Sequence, residues 1–174
     1  MKTVALIHCS SNLIEGPSRK VTIIFKFGKI KNTSVLLFDG ESEKYDINYQ
    51  DNDVMNNFSE IFNNKFSNID TIISHNAESN INILKTELQK SEKTSSISIL
   101  DNIRVICCAE KIKSIVNIKD NNGELKIPSV EEVYNYVFKN SKQVDNSFYI
   151  TDKLFYCLLH LQNNDIINFF QENV

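Results

Sequence analysis

The sequence predicts an α/β protein built around a mixed β-sheet. Its 174 residues are about the length of one domain, and its 41% hydrophobic and 24% charged residues are close to globular averages. Three strand-like segments come first, and helical and strand-like segments then alternate. Strands joined by short turns pair antiparallel, whereas strands joined through a helix lie parallel. We therefore expect one domain over residues 1–174, with a five-stranded sheet whose strands 1–3 are antiparallel, flanked by helices.

The first three strands are predicted from short runs of β-branched, aliphatic and aromatic residues. They cover residues 3–9, 20–27 and 34–38. Gly16 and Pro17 indicate a loop over residues 10–18. A turn over 28–33 makes the second and third strands a hairpin, and the polar stretch 39–50 is predicted to be a loop.

Helical periodicity begins at residue 51. Residues 51–66 carry Val54, Phe58 and Phe62 at helical spacing, and residues 77–89 form a second amphipathic helix. Between and after these helices, residues 69–74 and 103–108 are predicted strands, while the serine-rich residues 91–98 are predicted to be a surface loop.

The last third of the chain is predicted to be helical. Ser129 and Glu132 have the spacing of a capping box at a helix start. A final helix is expected over residues 147–161, with a continuation over 165–170.

Composition excludes several classes of protein. The sequence has no apolar run long enough to cross a membrane, and the apolar stretch before His8 is too short for a signal peptide. Four unevenly spaced cysteines do not make a disulfide framework, so we expect buried, reduced thiols and a cytoplasmic location. A net charge of −3 is unfavourable for strong nonspecific binding to nucleic acid. No nucleotide-cofactor motif is present.

Residue usage is skewed in one direction. The chain has 23 Asn, 23 Ile and 17 Lys, but 2 Arg, 4 Gly, 2 Pro and no Trp. The abundant residues have AT-rich codons, so an AT-rich genome explains the bias, and clusters of lysine are weak indicators of function.

Three segments resemble the DnaQ-like (DEDDh) 3′-5′ exonucleases, which have an RNase H-like fold. Thr71-Ile-Ile-Ser-His-Asn-Ala-Glu-Ser-Asn80 is similar to the strand-to-helix junction that ends in His-Asn-Ala-x-Phe-Asp. Pro128-Ser-Val-Glu-Glu-Val-Tyr134 is similar to the family's Pro-Ser-Leu-x-Glu-Leu-Tyr helix. The family's last helix opens with His-x-Ala-x-x-Asp, and Ser147-Phe-Tyr-Ile-Thr-Asp152 stands at that place.

The resemblance implies a site for two divalent metal ions held by four carboxylates, with a histidine as general base. The family's Asp-x-Glu on the first strand falls on His8 and Ser10, its third carboxylate on Asn80 and its base on Ser147. Only Asp152 keeps the family's residue type. Neutral side chains supply no charge to balance two metal ions, so the resemblance implies a degenerate site with no metal, no cofactor and no catalysis.

An alternative catalytic pair is Asp39 and Glu41, in Phe-Asp-Gly-Glu. If Asp39 were on the first catalytic strand, too few residues would separate it from Asn80 for two strands and a helix. These carboxylates are therefore predicted to close the third strand into a loop.

Other candidate groups have a structural and a functional interpretation. His8, Cys9 and His75 are three ligand types for a soft metal, but we expect histidines retained in a pocket. Arg104, Lys111 and Lys113 are candidate contacts to nucleic acid, with Lys119 and Lys126 nearby, or simply a solvated face. Aromatic side chains that stack on bases or belong to the core are Tyr134, Tyr136, Phe148 and Tyr149.

The sequence thus predicts an inactive exonuclease-like domain that acts in protein–protein interaction, self-association or assembly. Aromatic anchors for such an interface are Tyr136, Phe169 and Phe170. The alternatives are weak binding of single-stranded nucleic acid and, less favoured, an active nuclease with a displaced site.

Overall fold

A computed structural model describes residues 2–13, 19–31, 35–37, 41–48, 52–90, 94–139, 149–164 and 166. Within these residues the chain forms six strands and six helices. The strands are β1 (Lys2–Leu13), β2 (Arg19–Lys31), β3 (Val35–Leu37), β4 (Glu43–Asn48), β5 (Thr71–Ser74) and β6 (Arg104–Cys107). The helices are α1 (Asn52–Phe66), α2 (Ala77–Lys90), α3 (Thr94–Asn102), α4 (Ala109–Val116), α5 (Val130–Val137) and α6 (Ile150–Asn163).

The strands form one mixed sheet in the order β3-β2-β1-β5-β6. The long antiparallel pair β1–β2 runs from Lys2 opposite Ile30 to Leu13 opposite Arg19. On its other edge, β2 pairs antiparallel with β3 and with β4, at different parts of its length. On the other side of β1, β5 and β6 are parallel. The sheet is therefore five strands wide but contains six strands.

Alternate residues of each strand point to opposite faces of the sheet, and each face is covered by three helices. Leu6 and Ile73 belong to a core shared with α4, α5 and α6. Ile7 and Ile72 belong to a second core shared with α1, α2 and α3, which contains the stacked rings of α1. The junction of β1 and β5, like the rest of the sheet, therefore lies between two layers of helices.

Most of the predicted elements are confirmed. The antiparallel first three strands, the parallel later strands, and helices at α1, α2, α5 and α6 all form near their predicted positions. The capping box is present: Ser129 Oγ accepts from the Glu132 N–H at 3.2 Å, and the Glu132 carboxylate accepts from the Ser129 N–H at 2.7 Å. Of the predicted continuation over 165–170, only residue 166 lies within the described residues.

The prediction of a loop over residues 39–50 was wrong, because Glu43–Asn48 forms β4. Tyr45 and Ile47 point into the core beside α1, whereas Lys44 and Asp46 alternate with them on the exposed side. Asp46 accepts a hydrogen bond from Thr22 on β2 at 2.6 Å and pairs with Lys44 at 2.9 Å. Polar residues on one face masked the two-residue period of this strand.

The antiparallel pair β1–β2 is longer than predicted. Residues 10–13 continue β1 and residues 28–31 continue β2, so neither stretch is the loop or turn that its composition suggested. Gly28, for example, lies opposite Val4 in this pair. Backbone hydrogen bonding between the two strands explains why each is longer, because main-chain N–H and C=O groups pair regardless of the side chain.

Two helices were missed. The predicted serine-rich loop over 91–98 contains the start of α3, where Ser96 is buried and donates to Asn63 Oδ1 on α1 at 2.7 Å. The basic cluster around Lys111 and Lys113 belongs to α4, whose Ala109, Ile112 and Val116 are buried at helical spacing.

The thiols are free. Cys9, Cys108 and Cys157 are buried as predicted, whereas Cys107 is exposed, contrary to the prediction for all four. Among the described residues, no helix is both long and apolar enough to cross a membrane.

Candidate functional site

Asn80, in the first turn of α2, lies where the resemblance places the third carboxylate. Its side chain is buried, and its Oδ1 accepts from the Cys9 N–H at 3.1 Å. Its Nδ2 donates to Ser74 Oγ at 2.6 Å and to the His75 carbonyl at 2.7 Å. Ser74 Oγ in turn donates to the Ile7 carbonyl at 2.8 Å. The amide thus connects β1, β5 and α2, and it needs both a donor and an acceptor to do so.

His75 and Asn76 shape the turn between β5 and α2. His75 Nε2 lies 2.5 Å from the Pro128 carbonyl oxygen, and since a carbonyl only accepts, Nε2 carries the proton and donates. Its Nδ1 lies 3.7 Å from Cys108 Sγ. Asn76 has a φ of 58°, in the left-handed region that Asn tolerates better than most residues. This geometry gives both residues a structural role in the turn.

His8 lies half-buried on β1, opposite Ile24 of β2. Burial lowers the pKa of His8, while the Glu131 carboxylate raises it and His75 lowers it further. Burial also lowers the pKa of His75, although the hydrogen bond to the Pro128 carbonyl and the Glu131 carboxylate each raise it. Both imidazoles are therefore biased toward the neutral form.

Cys9 does not join the two histidines. It follows His8 on β1, so its side chain lies on the other face of the sheet, in the core with α1 and α2. Its thiol is buried, and burial raises its pKa, which disfavours the thiolate that metals bind. Within the described residues there is no group of three or more His, Cys, Asp or Glu side chains arranged to hold a metal ion.

Asp152, the one position that keeps the family's residue type, forms an ion pair inside the protein. Lys26 Nζ of β2 lies 2.8 Å from Asp152 Oδ1, and the two side chains are only 9% and 15% exposed. Ser42 Oγ donates to the same oxygen at 2.9 Å and lies 2.7 Å from Thr151 Oγ1. The ammonium also lies 5.5 Å from the centre of the Phe155 ring. The carboxylate is thus engaged by a lysine and a hydroxyl.

These contacts do not fit a two-metal site. At Asn80, amide N–H groups point at oxygen acceptors of the protein, where a metal ligand would present a free oxygen. At Asp152, a fixed ammonium lies against the carboxylate where a metal would need it. A hard divalent cation requires several anionic or carbonyl oxygens, and among the expected catalytic positions that the structure describes only Asp152 carries a carboxylate, which is already engaged.

The remaining predicted positions are dispersed. Ser10 is half-buried on β1, two residues beyond His8 on the same face. Glu41 is exposed just before β4. Ser147 and Asp39 lie outside the described residues.

The candidate nucleic-acid contacts lie on β6 and α4. Arg104 is the exposed first residue of β6, while Lys111 and Lys113 are half-buried on α4. Lys113 lies 4.0 Å from Glu110, and Lys126 pairs with Glu132 at 2.6 Å, which reduces the positive charge of this stretch.

The candidate aromatic residues differ in burial, which separates core packing from a role at the surface. Tyr134 is buried in the core, whereas Tyr136 and Tyr149 are exposed. Phe148, Phe169 and Phe170 lie outside the described residues.

Sequence reasoning missed Lys26, which has the closest contact to the retained carboxylate. A signal was present, because Lys26 stands between Phe25 and Phe27 in an otherwise apolar run. A lysine at such a position is buried and therefore needs a partner.

Comparison with known proteins adds no assignment to this geometry. No family model, no curated protein and no solved structure matches the chain.

Replacing Asn80 with aspartate is expected to destabilise the protein. Asn80→Asp removes two buried donors and places a carboxylate against the oxygens of Ser74 and His75, and each buried group left unsatisfied costs about 1–3 kcal/mol. The matched control is Asn82→Asp, at an exposed position of the same helix, where a change within about 0.5 kcal/mol is expected. Urea unfolding measures both, and equal stability of the two variants would contradict the structural role of Asn80.

Breaking the Lys26–Asp152 pair on one side is expected to be worse than removing both partners. Lys26→Met or Asp152→Leu leaves a largely buried charge alone, at a cost of up to about 3–5 kcal/mol, whereas the double variant leaves none. The same three variants at the exposed pair Lys85–Asp101 are the control, with effects of about 1 kcal/mol or less. A double variant as unstable as the sum of the singles would show that the pair contributes no coupling.

Proposed function

We propose that this chain is a catalytically inactive DnaQ-like exonuclease domain with an RNase H-like fold, which acts as a protein-interaction or assembly module. The mixed open sheet, with an antiparallel β3-β2-β1 half and a parallel β5-β6 half between two layers of helices, is compatible with that fold. The resemblance of the segments around His75, Ser129 and Asp152 is what names the family.

The observation that carries the proposal is the ion pair between Lys26 and Asp152. A single carboxylate of the expected set is retained, and an internal ammonium 2.8 Å away neutralises it. The side chain of Asn80 makes three hydrogen bonds that connect β1, β5 and α2. Both positions have structural partners, which supports a domain that is used for its surface and not for turnover.

Exposed aromatic residues support protein interaction as the use of that surface. Tyr136, Tyr149 and Tyr156 are each about 40% exposed, and tyrosines are enriched among the residues that dominate protein interfaces. The net charge of −3 favours a protein partner over a long polyanion.

A second candidate function is weak binding of single-stranded nucleic acid. Lys20 and Lys44 share a single carboxylate, Asp46, at 3.0 and 2.9 Å at this edge of the sheet. Tyr149 lies near Lys44 and is exposed, so a ring for stacking and a cation for phosphate occur together. We expect an affinity no tighter than about 10⁻⁴–10⁻⁶ M at physiological salt.

The direct test of the proposed function is degradation of a labelled single strand with Mg²⁺ or Mn²⁺, at a large excess of protein. No 3′-5′ degradation is expected, because His8, Ser10 and Asn80 supply no metal-binding charge and Asp152 is paired. Fluorescence anisotropy of the same oligonucleotide over a salt series measures the second candidate function.

Two variants make the assay decisive. Combined His8→Asp, Ser10→Glu, Asn80→Asp and Ser147→His restores the family's residues, and any gain of metal-dependent degradation would support the alignment with the family. Degradation by the unmodified chain that is lost in Asp39→Ala with Glu41→Ala would establish the displaced-site alternative and overturn the proposal. Sub-micromolar, salt-sensitive binding that falls on mutation of Lys20 and Lys44, or of Arg104, Lys111 and Lys113, would favour nucleic acid over protein.

A further inference from the structure

The strand β6 ends the sheet on one side, and among the described residues its outer side pairs with no other strand. Arg104, which begins the strand, and Cys108, which follows it, donate their N–H groups to carbonyl oxygens of residues 70–74 at 3.3 and 3.1 Å. Successive residues of a strand direct their main-chain N–H and C=O groups to opposite sides. Val105 and Cys107 therefore direct these groups away from β5, toward the open edge.

The side chains of the same two residues are exposed. Val105 is 40% exposed and Cys107 is also exposed, whereas Ile106 between them is buried in the core with α4, α5 and α6. In the neighbouring strand β5 all four residues are buried. The edge of β6 is therefore accessible, and its outward N–H and C=O groups match the main chain of one more strand.

Charged residues protect the opposite edge of the sheet from such pairing. There β4 carries Glu43, Lys44 and Asp46 among its six residues. Charges on an edge strand, lysine above all, disfavour edge-to-edge pairing. In β6 the one charged residue is Arg104, at the first position. Of these two strands, β6 is the one suited to accept a partner strand.

The sequence of β6 is complementary to itself in the antiparallel direction. With a two-fold axis at Ile106, Val105 of each copy lies opposite Cys107 of the other, and each such pair exchanges both of its N–H···O bonds. Directly opposed residues lie on the same face of a sheet. Each exposed valine is thus covered by a cysteine, which packs as a small apolar side chain.

The charges around β6 also suit this register. Arg104 lies opposite the uncharged Cys108 of the second copy, and the two arginines are about 13 Å apart along the strands. That separation exceeds the screening length of about 8–10 Å near physiological ionic strength. Glu110, exposed in the first turn of α4, closely follows Cys108, so the pairing brings opposite charges together at each end. A second copy of the chain therefore complements the edge in backbone, apolar cover and charge.

We propose that the edge of β6 is a homodimer interface, in which β6 of two copies pairs antiparallel about a two-fold axis at Ile106 and continues the sheet from one copy into the other. Addition of a strand to an open sheet edge is a common mode of protein recognition. This inference rests on the proposed function as an interaction or assembly module, and it names the surface and the partner.

Amide hydrogen exchange at two protein concentrations tests the pairing without any substitution. The unmodified chain is labelled at about 1 μM and about 1 mM and read residue by residue by mass spectrometry. The Val105 and Cys107 amides are expected to exchange at least tenfold more slowly at the higher concentration, because pairing gives their N–H groups acceptors. The Cys108 amide, already bonded within the chain, is the internal control and should exchange equally slowly at both concentrations.

Val105→Pro tests the same edge by removing one outward donor from each copy. Proline is tolerated on an edge strand where the missing N–H faces solvent, so the bonds to β5 are kept. The dimer dissociation constant from sedimentation equilibrium is expected to rise at least tenfold. Val105→Thr keeps the N–H and the β-branched shape, and as the matched control it should stay within about threefold of the unmodified chain. Thermal melting confirms that both variants are folded.

Val105→Cys tests the register. A thiol at residue 105 lies opposite Cys107 of the second copy, at a Cα separation of about 5.5 Å that a disulfide can span. Oxidised glutathione should therefore link two chains of this variant through residues 105 and 107. The unmodified chain should form no link between its two Cys107 residues, which lie diagonally across the axis.

Four results would overturn the inference. Fast exchange of the Val105 and Cys107 amides at both concentrations would show an unpaired edge, which a strand of a different protein could then use. Slow exchange at both concentrations in a monomeric chain would show that the edge is covered within the chain itself. Folded Val105→Pro that dimerises as tightly as Val105→Thr would place the interface elsewhere. A disulfide between two Cys107 residues of the unmodified chain would contradict the register.

Failure here is distinguishable from failure of the proposed function. A chain that stays monomeric at about 1 mM would leave an interaction module whose partner is a different protein. Metal-dependent degradation of an oligonucleotide by the same preparation would overturn the proposed function itself, whatever the oligomeric state.

Discussion

The buried side chain of Asn80 holds together the part of the fold on which the candidate site is built. It accepts from the backbone of β1 and donates to the end of β5 and the following turn, while belonging to α2. Parallel strands meet their helices at this edge of the sheet, and the turn there is further fixed by His75, which donates to the Pro128 carbonyl before α5. A side chain that must donate and accept at once cannot be exchanged for a carboxylate without leaving buried groups unsatisfied.

The Lys26–Asp152 pair extends the same constraint to the opposite side of β1. It joins β2 to the first turn of α6, with Ser42 hydrogen-bonded to the same carboxylate oxygen. The internal ammonium supplies a positive charge beside the retained carboxylate, which removes the electrostatic need for a bound cation. With both positions engaged in structural contacts, the proposed function relies on the outer surface of the domain, where Tyr136, Tyr149 and Tyr156 are exposed.

Features encoded by local sequence were predictable, and those that depend on distant partners were not. The rings of Phe58, Phe62 and Phe66 at helical spacing, and the Ser129–Glu132 capping box, indicated α1 and α5 directly. β4 was missed because its polar residues find partners on β2, and α3 because Ser96 is buried against α1. The positions of Asn80 and Asp152 came from the resemblance, but their partners lie 71 and 126 residues away in sequence, at Cys9 and Lys26, and only the fold brings them together.

The central claim is that internal contacts occupy the places where metal ligands are expected, and Mn²⁺ binding followed by electron paramagnetic resonance tests it most directly. Free Mn²⁺ gives a six-line spectrum that is lost when the ion binds to protein. The account predicts that the spectrum of added Mn²⁺ is unchanged by the unmodified chain. Stoichiometric loss of the free-ion signal, restored by Asp152→Asn, would contradict it.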